Sequence, residues 1–231
     1  FIILLRAKPS PQGFAADLRG KIGRAAAREC VEAVLVALVL ALLIRSYLFQ
    51  PFRIPSGSMR MTLIEEDRLF VNKLAYGPSL IPVELRAFSS SDTYEPARSL
   101  WTKFLRYRLP GFTKPKRGDV VVFRFPVTRD KDFIKRLIAV GGETVEIRNG
   151  KVFINDKPVT DGTMAKIHYF NDGYYGRPYV KILVPQGYFF VMGDNSASSH
   201  DSRYWGFVPE HFMIGRADVI FWPLNRLRWI R

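Results

Sequence analysis

The sequence predicts a mostly β chain carrying one apolar helix near its N-terminus. Three observations predict it. Short apolar runs recur through residues 50–231, separated by glycine, proline, asparagine and aspartate. The dipeptide Asn149-Gly150 lies between two of those runs, the strongest short hairpin signal. Only one stretch, residues 30–49, is apolar for long enough to suggest a span. At 231 residues the chain has room for one domain and an appendage. With 48% hydrophobic residues it can bury a core, which excludes overall disorder.

In chain order, residues 1–29 come first, with six basic and two acidic side chains. They read as a basic tail. Residues 30–49 follow (CVEAVLVALVLALLIRSYLF). The uninterrupted apolar centre, 33–44, is short enough for a buried helix or a signal-peptide core. The flanks favour a membrane span instead. Glu32 and Arg45 can snorkel, Tyr47 suits an interface, and apolar residues cover every helical face. The basic tail predicts a cytoplasmic N-terminus. No A-x-A cleavage signal follows directly, so the segment is expected to be an uncleaved anchor.

Residues 50–231 are expected to form one β-rich domain, a sandwich or partly open barrel. Strands are predicted at 120–123, 133–140, 144–148, 151–155, 180–184, 188–192 and 217–222. Two stretches, about 77–115 and 156–177, read as insertions decorating that core.

Charge and cysteine content narrow the chemistry. The balance is 35 basic to 21 acidic residues, net +14, which calls for a polyanionic partner, nucleic acid or an anionic membrane. The single cysteine, Cys30, excludes an internal disulfide framework and a cysteine-rich zinc site.

Candidate reactive groups cluster in three segments. Residues 51–59 (PFRIPSGSM) place Ser56 and Ser58 around Gly57 in a tight turn, read either as a solvated loop or as a nucleophile site. A serine nucleophile needs a base. His168 and His211 lie in turn-like surroundings, and His200 abuts Asp201. Neighbouring residues in extended chain point opposite ways, so that pair is poorly placed as base and orienter. Lysine is the alternative. In DFIKRLI, 132–138, period-two alternation puts Phe133, Lys135 and Leu137 on one face. Lys135 is then either a solvated edge lysine or a desolvated base. As a base its pKa must fall from about 10.4 toward 7, which apolar burial is able to supply. The third segment, 193–206 (GDNSASSHDSRYWG), gathers hydroxyls, carboxylates and an arginine between apolar runs.

Together PSGSM at 55–59, VNKLAYG at 71–77, RGDVVVF at 117–123, KDFIKR at 131–136 and GDN with SHDSRYWGFVP at 193–209 resemble the boxes of bacterial type I signal peptidase. They occur in the family's order, from the anchor to the C-terminus. The resemblance implies a signal-peptidase-like β-sheet domain behind a single transmembrane helix. The domain would be held at the outer face of the bacterial cytoplasmic membrane. The implied activity is a serine endopeptidase that removes signal peptides from exported preproteins through an acyl-enzyme.

By motif, Ser58 corresponds to the nucleophile and Lys135 to its general base. Ser56 and the Ser58 N–H correspond to the oxyanion hole, and Ser199 to the serine that orients the lysine. Phe52, Ile54, Leu63 and Ile134 correspond to residues lining small substrate pockets. Arg136, Asp194, Asp201 and Arg203 correspond to structural ion pairs near the site. The resemblance implies no metal and no cofactor. The partners expected are signal peptides and anionic phospholipid, with no nucleic acid and the chain acting as a monomer. Two positions depart from the family pattern: Met61 replaces the usual proline, and Ser196-Ala197 replace Arg-Asp.

Two rivals use the same residues. A self-cleaving Ser-Lys protein joined to a DNA-binding module would also be basic, but residues 1–29 are too short and irregular for a helix-turn-helix. A catalytically dead, membrane-anchored binding module is the other, against which the intact Ser58 and Lys135 argue. The charge distribution favours a membrane partner: +4 in residues 1–29 and +10 in residues 50–231.

Overall fold

The computed structural model describes residues 11–78, 108–128, 131–160 and 162–230, with side chains from residue 26 onward. Most of the expected insertion at 77–115 lies outside the described residues. The chain divides into two compact units, Phe1–Leu43 and Ile44–Arg231.

The first unit contains helix α1, Pro11–Leu43, which opens on a proline, a residue preorganised for a first turn. The basic tail is therefore helical from residue 11, rather than preceding the helix. The helical stretch Ala26–Leu48, which runs past the end of α1, is long and apolar enough to cross a membrane. None of the residues in its most apolar window is buried against protein. The expected anchor at 30–49 ends slightly too late, because Phe49 already belongs to a strand.

The second unit opens with a π-helical turn, Ile44–Leu48. Its carbonyls at Arg45 and Ser46 accept bonds from the buried Lys73 ammonium, both at 3.1 Å. Those bonds satisfy carbonyls that a helix end leaves without partners. The chain then enters an antiparallel sheet in the order β1-β2-β11-β3-β4-β9-β10, with β12 added beside β11. The strands are β1 Phe49–Arg53, β2 Arg68–Asn72, β3 Val120–Arg124, β4 Asp132–Val140, β9 Tyr188–Met192, β10 Val208–Pro209, β11 Met213–Trp222 and β12 Arg228–Trp229. Register shifts in β11 and β4 bend the sheet into a curled half-barrel. Pro51 sits in β1, an end strand, where a missing N–H is tolerated.

The VVVF run of β3 is buried on both faces, as a continuous apolar strand should be. Val120 and Val122 pack with Ile54, Leu63 and Ile134, while Val121 and Phe123 pack with Leu137 and Val191. A second, four-stranded sheet runs β7-β6-β5-β8. It comprises β5 Thr144–Arg148, β6 Lys151–Ile154, β7 Lys157–Pro158 and β8 Ile182–Leu183. Its core joins Val145, Ile147 and Val152 to Phe190 and Met192 of the large sheet. Asn149 and Gly150 turn between β5 and β6 with φ of 52° and 74°, as a two-residue hairpin with positive φ at both positions requires. A Cβ on Gly150 would stand 2.1 Å from the His168 ring, so His168 is a packing residue over that hairpin.

Candidate active site

Three segments converge on an open cleft of about 760 Å³, a volume typical of ligand sites. They are the end of β1 with the turn after it, the start of β4, and the loop after β9. The cleft is lined by Phe52, Ser56, Ser58, Ile134, Lys135, Asn195 and His200, with Arg60, Glu65 and Lys131 also on its walls.

The turn after β1 is a 3₁₀ helix, Gly57–Met59. Its first N–H groups have no helical acceptor, and the Ser58 N–H is among them. Ser56 stands at the cap in extended conformation, and its hydroxyl makes no capping bond. Ser58 is buried, and its Oγ accepts a 2.5 Å bond from Lys135 Nζ.

Lys135 lies in β4 opposite Val121, between neighbouring strands β3 and β9. Its side chain is 4% exposed, and its ammonium stands 5.7 Å from the centroid of the Phe133 ring. Burial pushes its pKa down to about 8; Asp201 and Asp194 pull it back up, and Arg203 adds to the lowering. Of the two readings of this lysine, the structure has the desolvated one.

Behind the pair lie two fully buried ion pairs. Arg136 grips Asp194 through two bonds of 2.8 and 2.6 Å, and donates a third to the Gly118 carbonyl. Thr62 sits between the two, donating to Asp194 and accepting from Arg136. Arg203 grips Asp201 through bonds of 2.8 and 2.9 Å, and also binds the carbonyls of Phe170, Ser196 and Ser199. Asp201 in turn accepts the Gly193 N–H and caps the short helix α2, Ser202–Trp205. Buried charges persist only when paired and hydrogen-bonded, and both pairs meet that condition. Ser196, one of the two departures, belongs to this network. Its hydroxyl accepts from Arg203 and from the Phe170 N–H. Met61, the other, is exposed on the surface.

The structure thus brings Ser56, Ser58, Lys135, Phe52 and Ile134 to one cleft, with Arg136, Asp194, Asp201 and Arg203 behind it. Two expectations need correction. Ile54 and Leu63 are fully buried in the core under the cleft and do not line it, because β1 turns Ile54 inward against β3 and β11. Ser199 is buried beside Gly193, and its Oγ has no hydrogen-bond partner, so the bond expected to Lys135 is not made. In the turn 55–59, Pro55 and Ser56 are exposed while Ser58 and Met59 are buried. His200 reaches the cleft while Asp201 points into the ion-pair network, as the opposed directions of neighbouring residues imply.

One residue had no assigned part. Asn195 Nδ2 donates to the Gly57 carbonyl at 2.9 Å, and the Asn195 N–H donates to the Ser58 carbonyl at 3.0 Å. Its place in the GDN motif was the only signal, and that signal carried no role.

The curled β-sheet thus presents the Ser58 hydroxyl to the buried Lys135 ammonium in an open cleft. The sequence matches the family described as "Signal peptidase, peptidase S26" over residues 27–222. The chain belongs to that family. It is 33% identical over 207 residues to signal peptidase I of Leptolyngbya laminosa, covering 86% of this chain and 81% of the relative. A probable signal peptidase I-1 of Synechocystis is 34% identical over 206 residues, covering 86% and 84%. A crystal structure of a signal peptidase I from Enterococcus faecalis V583 is 32% identical, covers 45% of this chain and 97% of that one, and gives a TM-score of 0.39.

Proposed function

We propose that this chain is a membrane-anchored serine endopeptidase that removes signal peptides from exported preproteins. The observation that carries the reading is the contact between Lys135 Nζ and Ser58 Oγ, with the lysine desolvated. With its pKa about 8, roughly one lysine in ten is neutral at pH 7, against fewer than one in a thousand for a solvated lysine.

Neutral Lys135 takes the Ser58 proton as Oγ attacks the scissile carbonyl. The oxyanion is held by the Ser58 N–H, which the turn fixes before charge develops, and by the Ser56 hydroxyl. Lys135 then gives its proton to the leaving amine, and Ser58 retains the acyl group. A water, deprotonated by Lys135, releases the new carboxylate and restores the serine. Phe52 and Ile134 shape the apolar part of the cleft and favour small side chains next to the cut, with substrate laid in as an added strand.

In this reading residues 1–29 form a cytoplasmic tail, 30–48 a single inner-membrane anchor and 49–231 the catalytic domain on the outer face, working as a monomer. Exposed Trp222 and Trp229, with Leu224 and Leu227, give that domain an apolar margin for anionic lipid. The test is to incubate the purified chain with a preprotein and sequence the products. A cut after the signal peptide that disappears in Ser58→Ala supports the reading, and an unchanged cut in Ser58→Ala sinks it.

A further inference from the structure

The peptide group between Gly57 and Ser58 carries both the Ser58 N–H and the Gly57 carbonyl. Its planarity ties the two together, so whatever fixes the carbonyl aims the N–H. That carbonyl accepts two bonds. One is 3.1 Å from the Arg60 N–H and closes the 3₁₀ turn; the other is 2.9 Å from Asn195 Nδ2. The amide nitrogen must be the atom facing Gly57, because a carbonyl can only accept. Asn195 also holds the next carbonyl, that of Ser58, through its own N–H at 3.0 Å. One residue thus grips the chain on both sides of the Ser58 Cα.

Asn195 is itself held firmly. The neighbouring Asp194 is locked to Arg136 and Thr62, and the Asp194 N–H points to the Met59 sulfur at 3.4 Å. On the other side Ser196 is tied to Arg203. The donor that meets Gly57 is therefore mounted on both buried ion pairs.

We propose that Asn195 is a positioning residue for the oxyanion donor: its side-chain amide orients and polarises the Gly57–Ser58 peptide so that the Ser58 N–H is aimed into the cleft. A hydrogen bond to the carbonyl of a peptide strengthens the donor at its other end, since bonded amides polarise one another. The inference rests on the reading of Ser58 as nucleophile. It assigns to the loop after β9 a part in stabilising charge, separate from any effect on Lys135.

Two variants test it in the full-length protein in detergent. Asn195→Ala removes only the side-chain bond, because the bond to the Ser58 carbonyl is made by the main chain. Asn195→Asp keeps the shape and replaces the donor with an acceptor. The measurements are kcat, KM and the pH profile on a signal-peptide substrate, and the affinities of a peptide boronic acid and of the matching uncleavable peptide amide.

The expected result is a fall in kcat of about tenfold for Asn195→Ala, less than the loss of a whole oxyanion donor, and a larger fall for Asn195→Asp. KM and amide affinity stay as in the wild type in both variants and the pH midpoint stays in Asn195→Ala, while boronate affinity weakens with kcat; in Asn195→Asp the added carboxylate moves the midpoint upward. A loss confined to KM, a displaced pH midpoint in Asn195→Ala, or equal weakening of boronate and amide overturns the proposal. So does a kcat within about twofold of wild type in both variants. If Asn195→Ala fails to melt cooperatively, Asn195→Asp carries the kcat, KM and boronate-against-amide readouts. Ser58→Ala, run alongside, separates the two levels. An active Ser58→Ala removes the underlying reading, whereas an inert one beside a fully active Asn195→Ala removes only the role of Asn195.

Discussion

Lys135 Nζ stands 2.5 Å from Ser58 Oγ although 77 positions separate them in the chain. A polar contact of that range inside an apolar setting is held in place by everything around it. Ser58→Ala and Lys135→Met are each expected to lower kcat by more than about a thousandfold, because the two act as a unit. Circular dichroism should show both variants folded. A lysine variant with near-full turnover would assign the proton transfer to another group.

Activity against pH should rise along one limb with its midpoint near 8, the value to which burial brings Lys135. The sign follows from the role: the base works when neutral, so rate grows as pH climbs. A midpoint near 10 would mean that the lysine is solvated during turnover.

Stability should report the same group with its own sign. The folded chain holds Lys135 at about 8, and the reference value for the unfolded chain is 10.5. Below 8 both states carry the proton, and the folded state bears the whole cost of a buried charge. Between those values the unfolded chain binds more protons, so stability rises with pH. Lys135→Met should therefore melt above the wild type at pH 7, with the gap narrowing as pH approaches 10.5. Thermal melts of both proteins across that range check it; a constant gap counts against it.

Asp194→Ala strands the Arg136 charge in a site where its side chain is 1% exposed. The expected loss is about 3–5 kcal/mol in denaturant unfolding, since a buried charge left alone costs more than its pair contributed. A loss below about 1 kcal/mol would show that water reaches Arg136.

Gly193→Ala is expected to disturb Ser58 from behind. A Cβ there would lie 2.1 Å from Ser199 Oγ and 2.5 Å from the Ser58 carbonyl. The serine side chain can turn away, but the carbonyl is main chain and has to move with the nucleophile. Overpacking of this kind costs about 1–3 kcal/mol, and kcat should fall by at least about tenfold. Unfolding midpoints and turnover measured together check both halves.

Much of this was legible from residue pattern. The run at 120–123, the segments at 144–148 and 188–192 and the Asn149-Gly150 turn appear where periodicity and turn chemistry put them. Five strands escaped, three of them only two residues long. Phe49–Arg53 contains Pro51 and follows the apolar helix without a break, so it read as anchor and loop. Arg68–Asn72 alternates inward Leu69 and Val71 with outward Phe70, whose ring stacks on Phe221 at 4.3 Å, and an apolar residue on the outer face hides the alternation. Strand β11 runs back to Met213 through Gly215 and Arg216, which looked like an end. At the site, Lys135 could be placed on an apolar face, but its partner could not, because nothing local relates it to Ser58. Ile54 and Leu63 were assigned by motif, and only packing shows that they face the core.

The clamp on the nucleophile turn has a consequence for how the enzyme comes into being. Asn195 reaches Gly57 across 138 positions, and the Asp194 contact to Thr62 spans 132. At a synthesis rate of about 5–20 residues per second, roughly 7–30 seconds pass between the emergence of the serine and that of the loop that holds it. During that interval the hydroxyl exists without its mount, so a nascent or truncated chain has the nucleophile and no working protease. A chain that lacks the loop after β9 therefore lacks both contacts that hold the nucleophile turn.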